Sequence, residues 1–304
     1  MGYRPDRRQV LGGVAAAVTV TALSGGGRAF AGGTRLHGDE VTDRLRALEQ
    51  SHAARLGVFA HNLATGRTVA HRADELFPMC STFKTIAVAA VLRDLDRDGT
   101  FLAERRHWTT TDVTESGYAP ITGLPENLEG GLTIEELCAA AIRYSDNAAA
   151  NLLLRELGGP EAVTRFCRSV GDRVTRLDRW EPALNSAEPD RITDTSSPRA
   201  LTRTYTRLTL GSALTPAHRR RLTTWLLTNT TGTDRLRAGL PSTWTTAEKT
   251  GTGNYGTTND AGVTRPPTGG PIVLTVLSTQ HIAAAPADEP LVAEAARLVA
   301  GTLA

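Results

Sequence analysis

The sequence predicts an α+β fold in which an antiparallel sheet, flanked by N- and C-terminal helices, carries an inserted all-helical lobe. Three observations predict it: a hairpin pattern near the start, three strand patterns near the end, and a long helix-forming stretch between them. Two hairpin strands alone are marginal, so the early and late strands are expected to join one sheet. With 304 residues, 40% hydrophobic and 22% charged, the chain is no disordered, collagen-like or disulfide-stapled polypeptide. A chain of this length buries about three quarters of its unfolded surface, enough for a sizeable core.

The first segment reads as an export signal. Arg4, Arg7 and Arg8 precede a mildly apolar stretch over 10–23, and Ala29-Phe30-Ala31 follows as a cleavage site. The pair Arg7-Arg8 gives it a twin-arginine character, so secretion with cleavage near Ala31 is expected. The apolar run is diluted by Thr and Gly and falls short of the roughly 20 apolar residues of a spanning helix, so no stable membrane anchor is expected. Removing 1–31 takes away four Arg and Asp6, a net +3, and moves the chain from +2 to −1. The small, scattered basic excess, 34 Lys plus Arg against 32 Asp plus Glu, argues against a nucleic-acid partner and for a small molecule.

Beyond the signal, 39–52 has helical periodicity, while 56–63 and 67–72, separated by Ala64-Thr65-Gly66, form a hairpin. From Ser81 to about Thr228 the pattern is helical. Phe83, Ala87, Ala90, Val91 and Leu95 share a face in the first helix; Ala149, Leu152, Leu153 and Leu157 do so in a later one that Gly158-Gly159 ends. Strands are expected over 243–252, 256–263 and 271–279, and an amphipathic helix over 290–303. The domain reading is therefore 1–31 signal, 32–73 plus 229–304 as a discontinuous α/β domain, and 74–228 as the helical domain, with a cleft between the lobes.

Of the 34 basic residues only Lys84 and Lys249 are lysine, the type chosen where a compact ammonium or an amine of lowered pKa is needed. Lysine depletion across the whole chain would leave the same count. Ser81-Thr82-Phe83-Lys84 puts a hydroxyl and an amine on one helical face, where the amine can take the hydroxyl proton and the helix N-terminus favours a developing oxyanion. A capped helix with an exposed lysine gives the same pattern. Ser145-Asp146-Asn147 opens another helix and by itself is an ordinary cap; Lys249-Thr250-Gly251 ends a strand and by itself is an edge entering a turn. In this order the three motifs use both lysines, which chance explains poorly. Gly251-Thr252-Gly253-Asn254-Tyr255-Gly256 spells a dinucleotide fingerprint but leads into a strand, and no zinc-peptidase, redox, P-loop or nucleophile-elbow motif is present.

With Glu181-Pro182-Ala183-Leu184-Asn185, these motifs resemble a class A serine β-lactamase over essentially the whole mature chain, in an actinobacterial type with Arg before the K-T-G strand. The resemblance implies a β-lactam substrate, no metal or cofactor, a monomer, and catalysis by Ser81, Lys84, Ser145 and Glu181. It implies substrate binding by Tyr118, Asn147, Asn185, Arg235, Lys249, Thr250, Gly251 and Thr252, with the Ser81 and Thr252 amides as oxyanion hole. The loop around Glu181 would be tied by Arg179 and Asp194. Two departures stand out. Thr258 occupies the place of a common carboxylate-binding Arg, a charge Arg235 would supply instead. Val88 and Gly253 stand where partners of Cys138 and Cys80 would be, so these two cysteines and Cys167 are expected reduced and buried. A penicillin-binding DD-peptidase or β-lactam sensor shares part of the motif set but not Glu181.

Overall fold

Strand-by-strand burial accounts for the sheet. The computed structural model describes residues 38–304, so the export-signal segment lies outside the described residues. Strands β1 (Arg55–Asn62), β2 (Thr68–His71), β3 (Thr245–Thr252), β4 (Thr258–Arg265) and β5 (Ile272–Thr279) form one antiparallel sheet in the order β2-β1-β5-β4-β3. Early and late strands thus join as the sequence suggests, β1 pairing along its whole length with β5. Strand β4 starts two residues after its expected 256, because Gly256 takes φ +55° in the turn closed by Gly253 N donating to Thr257 O.

The period-2 alternation of β5 divides the core. Ile272, Leu274 and Val276 join Leu56, Val58 and Ala60 against the N-terminal helix Gly38–Ser51 and the C-terminal helix Glu289–Leu303. Val273 and Leu277 point the other way, packing with Ala247, Ala261 and Val263 into a second cluster shared with the helical middle of the chain. The helix Pro198–Thr209 lies on that face, its Thr202 Oγ1 donating to Phe59 O and hydrogen-bonded to the Thr275 hydroxyl. Two two-residue ladders, Phe77–Pro78 with Thr195–Ser196 and Arg105–Arg106 with Leu132–Thr133, interrupt the otherwise helical middle. Among the described residues no helix is long and apolar enough to cross a membrane.

The helical segment after Cys80 changes pitch as it goes, from a 3₁₀ turn (Cys80–Phe83) through α (Lys84–Ala90) to a π turn (Val91–Leu95). Its residues from Cys80 to Leu92 are all buried, which places Ser81 and Lys84 inside the molecule. All three cysteines are unpaired and buried, and burial pushes their thiols well above the ordinary value.

One buried carboxylate ties the N-terminal helix to the hairpin. Glu49, 8% exposed, accepts from Leu56 N at 2.7 Å and Arg72 Nε at 2.7 Å and lies 3.0 Å from His71 Nε2. Burial pushes its carboxyl up, but the Arg72, Leu56 and His71 contacts outweigh this, so its pKa falls below the ordinary 4.5. A depressed acid contributes stability that is present above 4.5 and lost as pH falls through the folded value. Glu49→Gln should therefore cost about 1–3 kcal/mol at pH 7, with the deficit in melting temperature against wild type shrinking in acid. A deficit independent of pH would refute this account.

Candidate active site

The site forms where the edge strand β3 meets the start of the Ser81 helix. Close approach there depends on missing side chains: a Cβ on Gly251 would fall 2.8 Å from Met79 O and 3.2 Å from Ser81 N, and one on Gly253 2.7 Å from Asn185 O and 2.8 Å from Cys80 Sγ. Cys80 and Ser145, one beside the nucleophile candidate and one in the cleft wall, hold φ of +44° and +58°. Such backbone costs of order 1–3 kcal/mol per residue and persists only where surrounding contacts impose it.

Asp146 takes the helix cap that the Ser-Asp-Asn tripeptide offers. Its Oδ1 accepts from Ala149 N and Thr122 Oγ1 at 2.8 Å, and its Oδ2 from Ile121 N and Thr122 N at 2.9 Å. Ser145 and Asn147 are thereby left to face the cavity. Lys84 Nζ, fully buried, donates to Ser145 O and Asn147 Oδ1 at 2.7 Å and lies 3.1 Å from Glu181 Oε1 and 3.5 Å from Ser145 Oγ. Ser81 Oγ donates to the same Glu181 Oε1 at 3.2 Å. The Ser81 hydroxyl and the Lys84 amine, which spacing places on one helical face, are thus joined through a carboxylate rather than by a bond of their own.

On the opposite wall Lys249 Nζ donates to Ser145 Oγ and Thr250 O, both at 3.0 Å. Ser145 Oγ receives two ammonium groups, so its own proton is free to be donated into the cleft. Burial lowers the pKa of Lys84, opposed by Glu181; burial and then the Lys84 charge lower that of Lys249 well below the ordinary lysine value. Both amines are thereby brought nearer to proton exchange at neutral pH.

Glu181 Oε2 accepts from Asn185 Nδ2 at 2.5 Å. The surrounding loop is tied where the sequence suggests: Arg179 Nε donates to Asp194 Oδ2 at 2.5 Å, and Asp194 Oδ1 accepts from Asp178 N and Arg179 N. Sequence reasoning missed Asn151, whose side chain grips both backbone ends of Glu181: Oδ1 accepts from Glu181 N at 3.0 Å and Nδ2 donates to Glu181 O at 2.9 Å. A signal existed, since Asn151 lies one turn beyond Asn147 on the same helix. It also missed Thr231, hydrogen-bonded through Oγ1 to Thr250 Oγ1, and Glu289, 3.4 Å from Arg235.

The resulting cavity, about 400 Å³, is lined by Ser81, Tyr118, Ser145, Asn147, Asn185, Thr231, Arg235, Thr250, Gly251, Thr252 and Glu289. Tyr118 stands at the rim, 58% exposed. Arg235 is only 5% exposed; Nη1 donates to Gly251 O and Asn259 O, and Nη2 to Thr252 Oγ1 at 2.7 Å. Thr258 is buried with its hydroxyl on Gly256 O. A groove of about 470 Å³ elsewhere, lined by Arg55, Ile192 and Gln280 among others, contains none of these groups.

A family model described as "Beta-lactamase enzyme family" matches residues 40–303. A "Beta-lactamase" of Streptomyces lavendulae is 63% identical over 302 residues, 99% of this chain and 98% of that protein. One of Streptomyces fradiae is 62% identical over 98% of this chain and 96% of the relative. Among solved structures, the β-lactamase from Streptomyces albus G superposes with a TM-score of 0.86 at 64% identity, covering 87% of this chain and 99% of its own.

The Asn151 clamp yields a structural prediction. Asn151→Ala leaves the Glu181 amide and carbonyl without partners and should cost about 1–3 kcal/mol. Native-state hydrogen exchange at the Glu181 amide should accelerate selectively, while exchange in β5 should accelerate only as far as the loss of global stability requires. Unchanged protection at Glu181 would refute the clamp.

Proposed function

This chain belongs to the β-lactamase enzyme family, as a class A serine enzyme that hydrolyses β-lactams, and on that premise we propose that it does so through an acyl-enzyme on Ser81. The observation that carries the proposal is the single carboxylate oxygen, Glu181 Oε1, within reach of both Ser81 Oγ and Lys84 Nζ. Ser81 Oγ attacks the lactam carbonyl, its proton passing to Glu181 or Lys84, and the ring C–N bond breaks as Ser145 donates to the departing nitrogen. Lys84 and Lys249, both on Ser145 Oγ, return that proton. The Ser81 and Thr252 amides stabilise the oxyanion. Glu181, ionised and held by Asn185, then takes a proton from the water that attacks the ester, and as the acyl C–O bond breaks that proton passes to Ser81 Oγ, regenerating the hydroxyl.

Substrate binding falls to Tyr118 and Asn147 on one wall and Lys249, Thr250, Gly251 and Thr252 on the other. Arg235 adds a second cation for the substrate carboxylate in the absence of an arginine at 258. Penicillins and cephalosporins are the substrates proposed, and the working form a secreted monomer with the twin-arginine signal removed near Ala31. Residues 32–73 plus 229–304 make one lobe and 74–228 the other, with Ser81 on one side of the seam and Lys249 on the other.

Three variants test this reading. Ser81→Ala should abolish turnover of a chromogenic cephalosporin. Glu181→Ala should lose roughly 10²–10⁴-fold in deacylation and show a long-lived penicilloyl adduct by intact mass where wild type shows none; an adduct persisting for hours in both proteins would mark a slow penicillin-binding protein instead. Arg235→Ala should lower kcat/KM roughly 10- to 150-fold, the value of a charge-assisted contact of about 1.5–3 kcal/mol. Because the guanidinium also joins β3 to β4, the melting temperature should fall as well.

A further inference from the structure

Behind the strand that carries Lys249 lie two carboxyls that the hydrolytic steps do not use. Glu248 on β3 and Asp260 on β4 are both fully buried. Asp260 is paired with Thr250, which puts Glu248 diagonally across from it on one face of the sheet. Glu248 Oε1 accepts from Asn229 Nδ2 at 2.9 Å and meets Arg237 Nη2 at 3.1 Å; Asp260 Oδ2 accepts from Leu236 N at 3.2 Å. The remaining oxygens, Glu248 Oε2 and Asp260 Oδ1, are buried with no donor among the described residues, and the two carboxyls are side-chain neighbours. Gly232 closes over Glu248: a Cβ there would lie 2.0 Å from its Oε2.

Two carboxylates in contact away from water do not both stay ionised. We propose that Glu248 and Asp260 share one proton and that the pair, carrying a single negative charge, positions the 229–237 segment on β3. The contacts this secures are those of the cleft: Asn229 holds Thr231, Thr231 meets Thr250, and Arg235 reaches Gly251 O and Thr252 Oγ1. Burial, then the Glu248 charge, push the Asp260 carboxyl well above its ordinary value. The other charged or titratable groups facing the pair are Arg235 and Arg237 from the preceding segment, Lys249 on β3 and Tyr205 from the helix across the sheet. The positioning role rests on the proposed contact of Thr250 and Arg235 with the substrate carboxylate; the shared proton does not.

Infrared difference spectroscopy of the whole enzyme tests the proton directly. Wild type at pH 7 should show a protonated-carboxyl C=O band that is absent from Asp260→Asn, whose amide supplies the same hydrogen bond to Glu248. Asp260→Asn should keep kcat/KM for a cephalosporin within about threefold of wild type, whereas Asp260→Ala should raise KM about tenfold with kcat changed by less than about threefold. Protonation is favoured in the fold, so this acid lowers wild-type stability as pH rises from the ordinary aspartate range to its folded value; the melting temperature of Asp260→Asn relative to wild type should increase over that span. Absence of the band, or an Asn variant as impaired as the Ala variant, overturns the shared proton. The band together with an unchanged KM in Asp260→Ala overturns the positioning role. A wild type that shows the band but no cephalosporin turnover overturns the proposed function and leaves the shared proton standing.

Discussion

The cleft is organised around two ammonium groups removed from water. Taking an isolated ammonium out of water costs several kcal/mol even after relaxation, and acceptors placed around the donors offset that cost. Lys84 meets this with Ser145 O, Asn147 Oδ1 and Glu181 Oε1; Lys249 meets it with Ser145 Oγ and Thr250 O. Those acceptors are the groups that a proton relay between Ser81 and a departing nitrogen needs. Solvation of the lysines and assembly of the chemistry are one physical requirement.

Meeting it places demands on the backbone. Ser145 presents both its carbonyl and its hydroxyl toward the amines from a left-handed conformation, and Asp146 holds that turn by accepting from four donors at once. Glu181 comes from a loop without regular structure, so its position is set from outside by Asn151 on the backbone and by Asp194 on the neighbouring turn. Buried carboxylates and amides do the work that a helix or strand would do by itself.

The carboxylate-binding side of the cleft shows the same economy. Arg235 bonds two carbonyls, one on each of β3 and β4, before its outer edge reaches Thr252 Oγ1. A guanidinium with five donors can be anchored and still present a charge to the cavity, which a lysine at this place could not. Glu289, 3.4 Å away, offsets part of that charge.

Much of this was legible in the sequence because it is periodic or chemically rare. The alternation of β5, the hairpin and the terminal helices follow from which residues are apolar at spacings of two or near four, and Gly158-Gly159 ends its helix with φ of +86° and +103° as expected. The only two lysines beside 32 arginines mark Ser81-Thr82-Phe83-Lys84 and Lys249-Thr250-Gly251. Tertiary structure alone decided that Ser81 and Lys84 meet through Glu181, that Asn151 clamps the glutamate, and that Glu248 and Asp260 are buried diagonally across β3 and β4. These pairs are separated by up to 100 positions or join different elements. No local pattern encodes such contacts, because their energy comes from desolvation within a packed interior that exists only once the chain has folded.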